Sequence, residues 1–157
     1  MKTRLFTHPI CIDHDPGPMH PECPGRLRAI MAVLENDDFA TLDRHEAPIA
    51  ERSVIERTHD SAYVTQVLES VPGEGQVFLD PDTALCPASG EAALRAVGGV
   101  CAAVDAVITG DADNAFCAVR PPGHHAERDR AMGFCIFNNV VIAAAHARAA
   151  HGLSRVA

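Results

Sequence analysis

"NAFCAVRPPGHHAERDRAMGFCIFNNVVIAAAHARAAHG", residues 114–152, is the stretch whose reading decides the fold. It opens with a short apolar run, "NAFCAVR" (114–120), bounded by "DADN" and by two prolines. Such a run predicts a buried strand of a parallel sheet. It closes with "FNNVVIAAAHARAAHG" (137–152), which predicts a helix apolar nearly all round at its start and therefore buried there. Upstream, "EAALRAVGGVCAAVDAVITG" (91–110) reads as a long helix, and downstream "LSRVA" opens a new apolar run as a strand would. Helix, strand, helix and the start of a strand make an alternating series. The economical reading is an α/β domain with a parallel sheet covered by helices.

The N-terminal half fits the same frame. "RLFTH" (4–8) predicts a first strand, followed by a Pro-, Gly- and His-rich loop over 9–25. A helix is expected over 24–36, with Pro24 in its first turn and Leu27, Ile30, Met31 and Leu34 on one face. A strand is expected at 44–49. A second helix is expected over 60–71, with Asp60 as its cap and Val64, Val67, Leu68 and Val71 as its stripe. Residues 73–89 read as another loop. In the 91–110 helix the stripe is Leu94, Val97, Cys101, Val104 and Ile108, and Gly98-Gly99 leaves room for a close backbone neighbour.

Composition narrows the function classes. The formal net charge is −8, which argues against a nucleic-acid partner, because binding phosphates takes basic surface. The six cysteines include no C-x-x-C pair, so neither a zinc ribbon nor a thioredoxin-type site is expected. A reducing cytoplasm suits them better than a disulfide scaffold. No N-terminal apolar segment reads as a signal peptide, and no run approaches a membrane span.

The candidate chemistry lies in the turn. Ligands of open parallel sheets bind beyond the carboxyl ends of the strands. "RPPGHHA" leaves the carboxyl end of the 114–120 strand, so His124 and His125 stand where a site is expected. Two imidazoles in a stiff turn suit proton transfer near neutral pH. Adjacent residues seldom point at one ion, so a metal site made by this pair is not expected. His146 and His151, five apart on a helix, diverge by roughly 140° and read as surface residues. No nucleophile elbow, Walker loop or dinucleotide fingerprint is present.

Three segments then accumulate: "HDPGPMHPECPGRL" (14–27), "DPDTALCPASGEAALRAVGG" (80–99) and "RPPGHHAERDRAMGFCIFNNVVIAAAHA" (120–147). Together they resemble the histone deacetylase superfamily, zinc-dependent amide hydrolases of the arginase/deacetylase fold that include acetylpolyamine amidohydrolases. The "GFCIFNN" run is more similar to class II-like and bacterial members than to class I. The resemblance implies a three-layer α/β architecture and an acetylated lysine side chain or acetylated polyamine as substrate. It implies that His125 is a general base and that His124 is its charge-stabilising partner. Phe134 would wall the substrate tunnel, and the Gly133 carbonyl would contact the substrate chain. Asp82 would bind substrate backbone at the rim, and Arg26 would line an internal channel that releases acetate. A catalytic zinc, and a structural potassium ion, are implied for the full-length protein.

One departure limits that carry-over. The family's zinc ligands, an Asp-x-His motif and a further Asp, belong on the strand that would begin at "SRVA", just downstream of Ala157. The family's catalytic tyrosine also belongs downstream, and Tyr63 does not match it. Residues 1–157 are thus expected to be the N-terminal portion of a single catalytic domain, with no metal ligands of their own and no activity alone. The competing expectation is a non-catalytic truncated paralogue acting as a binding or oligomerising module. Half a sheet would expose an edge and an apolar face, so self-association is expected.

Overall fold

A computed structural model describes all 157 residues, and its topology turns on β1 (Thr3–Thr7), the middle strand of a three-stranded parallel sheet. β2 (Asp43–Glu46) pairs on one side, with Leu5 opposite Arg44, and β5 (Asn114–Ala118) on the other, with Leu5 opposite Phe116. From β1 the chain runs through α1 (Ile10–Asp13) and α2 (Pro24–Leu34) to β2. It then passes α3 (Arg52–Ile55), α4 (Ser61–Glu69), a two-strand ribbon of β3 (Val77–Phe78) and β4 (Ala84–Leu85), and α5 (Ser89–Ile108) before reaching β5. α6 (Asn139–His151) follows the histidine turn.

The two crossovers run in opposite directions across the sheet, from β1 to its neighbour β2 and then from β2 past β1 to β5. Right-handed connections must then lie on opposite faces of the sheet. The alternation of β1 shows this: Leu5 packs with Leu27 and Leu34 of α2, while Phe6 packs with Ala103 and Ala106 of α5. The largest apolar cluster lies beyond α5, where Val97 and Cys101 meet Val64 and Val67 of α4, Ile142 of α6, and Ile136 and Phe137. α2, sheet and α5 are three layers, with α4 and α6 closing the outer side of α5. No helix is long and apolar enough to cross a membrane.

Small residues let α5 serve both neighbours. A Cβ on Gly98 would stand 1.9 Å from the Pro48 carbonyl oxygen, and one on Gly99 would stand 3.0 Å from the Ala47 Cβ. The glycine pair therefore admits the segment after β2 against the helix backbone, and Ala50 N donates to Leu94 O there at 3.1 Å.

Some sequence expectations change. β5 is parallel but is an edge strand, so Phe116 remains half exposed. The start of α6 is buried on one side only: Asn139 and Ile142 are buried, while Val140 and Val141 face solvent. Asp60 sits at the N-cap of α4 without capping it, because its carboxylate takes Arg128 Nε at 2.6 Å. Residues 153–157 pair with no strand and are exposed. The 9–25 loop contains α1, and the 73–89 loop contains the β3–β4 ribbon.

The loop after β1 is fastened by a buried ion pair. Arg120, just beyond β5, donates Nε to Glu22 Oε1 at 2.5 Å and Nη2 to Glu22 Oε2 at 2.6 Å. Its Nη1 donates to the carbonyls of Cys11 at 2.8 Å and His14 at 2.9 Å. His14 is buried beside this pair, with Nδ1 2.7 Å from Ser89 Oγ and Nε2 3.7 Å from Glu22 Oε2. Burial, helped by the Arg120 charge, lowers the His14 imidazole to about 4 despite the Glu22 carboxylate. Ser89 Oγ accepts from Cys86 N at 2.7 Å, which brings the 80–89 segment into the same network.

Two outcomes follow from this packing. Gly98→Ala gains about 1 kcal/mol of helix propensity. It loses more, because the clash is with backbone that no rotamer relieves, and overpacking costs about 1–3 kcal/mol or above. A net loss of about 2 kcal/mol in urea denaturation is expected, with a smaller loss for Gly99→Ala. The second outcome concerns acid. His14 titrates lower folded than unfolded, so its neutral form contributes stability that is complete above pH 6.5 and falls away as the pH drops towards 4. The loss by pH 4 is about 3 kcal/mol. His14→Gln should flatten that part of the stability curve, and an unchanged slope would show that another group controls it.

Candidate functional site

The sheet reverses its winding between β1 and β5, and a crevice opens along Phe116–Ala118 of β5 and past the carboxyl end of that strand, between it, α2 and the histidine turn. The resulting cavity is about 590 Å³. Its lining brings together His124, His125, Gly133, Phe134 and Arg26, five of the residues singled out in the sequence, along with Glu22. Asp82 does not line it, but stands at its margin, where its carbonyl oxygen lies 3.1 Å from His20 Nε2.

Backbone contacts place the histidine turn. The Arg120–Pro121 peptide bond is cis. Gly123 faces the Phe137–Asn139 backbone so closely that a Cβ would lie 2.1 Å from the Phe137 carbonyl oxygen. Asn139 Nδ2 reaches Pro121 O at 3.4 Å, and Asn138 Nδ2 donates to Ala126 O at 2.9 Å. Asn138 also caps α6, its Oδ1 accepting from Val141 N at 3.1 Å. The two asparagines therefore lock the turn to the start of α6. His124 and His125 are both exposed to the crevice, with ring centroids 4.3 Å apart and planes tilted by 51°.

Gly133 and Phe134 line the crevice beside His125. Gly133 has φ +59°, and a Cβ there would press on the His125 ring at 3.0 Å, so glycine lets the chain pass behind that imidazole. Phe134 has φ +70°, a strained conformation for an aromatic residue. It is held by its N–H donating to Thr83 Oγ1 at 3.1 Å and by the His20 ring, edge-on at 4.7 Å between centroids. Asp80 Oδ1 accepts from Asp82 N at 2.9 Å and Thr83 N at 2.6 Å, which shapes the turn that presents both residues. Arg26 enters from the first turn of α2.

Several residues of this architecture carried no recognisable spacing in the sequence. His20 braces Phe134, and His14 with Glu22 anchors the loop floor. His8 accepts from Ile10 N through Nδ1 at 3.2 Å and helps turn the chain after β1. His59 accepts from Asn138 N through Nε2 at 2.9 Å, with Nδ1 3.2 Å from Arg128 O, so it is a fastener beneath the turn. Burial lowers its pKa. Tyr63 is buried, its hydroxyl donating to Ile136 O at 2.6 Å, and burial pushes its phenol well above the ordinary value. It supports the 131–137 segment and does not reach the crevice.

The crevice residues do not make a metal-ligand set. Glu22 is engaged by Arg120, and His124 and His125 have no third ligand converging on them. One group of three ligand atoms does converge elsewhere: Asp105 of α5 with His146 and His151 of α6. The two helix histidines do not diverge as the 140° spacing implied. Both Nε2 atoms reach Asp105 Oδ1, at 2.7 and 2.6 Å.

Comparison with known proteins gives the family. A histone deacetylase-like amidohydrolase of Pseudomonas aeruginosa is 34% identical over 99% of this chain and 46% of its own length. The human protein named Polyamine deacetylase HDAC10 is 38% identical over 87% of this chain and 22% of its own. The crystal structure of the HDA15 HD domain superposes with a TM-score of 0.87 at 31% identity, covering 96% of this chain and 44% of that one. The chain thus spans less than half the length of each. The family model for the histone deacetylase domain matches residues 20–157: the chain belongs to the histone deacetylase family.

Proposed function

We propose that this chain is the N-terminal portion of a zinc-dependent deacetylase domain that hydrolyses an acetylated amine, either an acetyl-lysine side chain or an acetylated polyamine. The observation that supports this reading best is the convergence of His124, His125, Gly133 and Phe134 on one crevice at the carboxyl end of β5. His125, backed by Gly133, is the proton-transfer base, and His124 beside it stabilises the charge that His125 gains. Phe134 and the Gly133 carbonyl flank the alkyl stem of the substrate. Asp82 at the margin binds its backbone or amine, and Arg26 lines the path by which acetate leaves. In this reading the zinc ligands are those of the Asp-x-His motif that the family resemblance places downstream of Ala157. A cytoplasmic setting suits the free cysteines.

Two measurements bear on this. Residues 1–157 alone should not hydrolyse acetyl-lysine peptide or acetylpolyamine, whereas the protein extended through the zinc-ligand motif should. In the extended protein, His125→Gln should lower kcat by about 100-fold or more while leaving the melting temperature near its parent value. Turnover by residues 1–157, or full activity of His125→Gln, would overturn the assignment.

The open β5 edge, with Phe116 beside Ile30 and Val33 of α2, supports self-association of residues 1–157. Sedimentation velocity should show concentration-dependent oligomers that Phe116→Lys suppresses. A stable monomer at all concentrations would count against it.

A further inference from the structure

The α5–α6 contact holds a cluster that the proposed deacetylase chemistry does not use. Asp105 lies in the last turns of α5, His146 two turns into α6, and His151 at its final residue, next to Gly152 at φ +69°. Asp105 Oδ1 and the Nε2 atoms of both histidines all lie within 4.8 Å of one another. Both rings are largely shielded while Asp105 is about half exposed, so the cluster is formed yet open on one side. None of the three lines the crevice.

We infer that Asp105, His146 and His151 form a binding site for a divalent transition-metal ion of the zinc, cobalt or nickel class. Two imidazoles and one carboxylate are the donors such ions prefer, and three ligands with one open side leave a position for water. Ligand atoms around a tetrahedral zinc stand about 3.3 Å apart, given metal–ligand bonds near 2.0–2.1 Å. The observed separations of 2.7 and 2.6 Å from each Nε2 to Oδ1 must widen by about 0.6–0.7 Å to match, a movement that the half-exposed Asp105 carboxylate can supply. The surroundings also favour a cation. The carboxyl-terminal ends of α5 and α6 meet here, and each carries partial negative charge.

One group opposes the ion. Arg57 Nη1 lies 3.5 Å from His146 Nδ1, the ring nitrogen that must carry the proton when Nε2 binds metal. Arg57 is exposed and able to swing away. It also adds positive charge close to the site. Arg57 thus bears on His146 alone: with the arginine donating to Nδ1 the proton stays on Nε2, which hydrogen-bonds Asp105, and with it displaced His146 is free to ligate.

The inference does not rest on the deacetylase reading, and it is tested without activity. The purified chain is titrated with cobalt(II) while its visible absorption is followed, then with zinc against a chromophoric chelator. One equivalent should bind, with ligand-field bands and no thiolate charge-transfer band. His151→Gln keeps a donor to Asp105 but ligates poorly, so it should weaken binding about ten-fold or more with the melting temperature of the metal-free chain retained. His146→Gln should act alike, and Arg57→Ala should tighten binding several-fold. Absence of binding, a thiolate band, or equal affinity in a folded His146→Gln/His151→Gln chain would overturn the site.

Discussion

The bidentate pair of Arg120 with Glu22 is the constraint on which the crevice depends. A guanidinium presents its donors in one rigid fork, so a single side chain fixes the Glu22 carboxylate and the carbonyls of Cys11 and His14 at once. The loop after β1 has few apolar anchors and is too rich in proline and glycine to hold itself by secondary structure. It is wrapped around the guanidinium instead. Arg120 is also the last residue before the histidine turn, so the contact that orders the loop sets where the turn begins. Removing either partner leaves a buried charge alone, which costs about 3–5 kcal/mol. A lysine would supply the charge without the fork and leave part of the acceptor set unsatisfied.

The same pair explains why a buried histidine stands beside a carboxylate without becoming charged. Glu22 is already compensated by Arg120, so the attraction it offers His14 is offset by the guanidinium, and burial decides in favour of the neutral ring. A neutral His14 joins Ser89 and, through it, Cys86. The three sequence segments that carry the family resemblance are thus one physical object, tied through Arg120, Glu22, His14 and Ser89 and not by adjacency in the chain.

Much of the framework was legible because it repeats periods. Helical stripes placed α2, α4 and α5, and short apolar runs placed β1 and β5. The Gly98-Gly99 pair pointed to a close backbone neighbour, and that neighbour is the Pro48 carbonyl. The histidine turn was legible because prolines and glycine left it no regular structure and the strand before it told where it lay. Periodicity fails where burial depends on a partner strand or helix. Phe116 and Val140 look like core residues in sequence and are exposed, because β5 is an edge and α6 meets α5 on one side only. It fails again for His146 and His151, whose backbone directions diverge while long side chains at a helix end bring their ring nitrogens to one oxygen. The braces of the crevice, His20 and Thr83, had no signal because each acts across about fifty residues or more through a single contact.

Placing an imidazole and orienting it are separate problems, and for His124 and His125 this chain addresses the first. Gly123 against the 137–139 backbone, Asn138 to Ala126 and Gly133 behind the His125 ring restrict where the two rings stand. The hydrogen bonds of the turn belong to its neighbours, not to the imidazoles, and the rings meet the crevice with their edges open. A general base also needs one tautomer, which a carboxylate or carbonyl on the far ring nitrogen normally selects. His59 shows what such selection looks like, held at both nitrogens by Asn138 N and Arg128 O, and it is buried and fixed accordingly. His124 and His125 have the position without that clamp. Partners that approach from the open side of the crevice would supply orientation and chemistry together, so preorganised placement costs the turn little while leaving the protonation state to be set by what binds beside it.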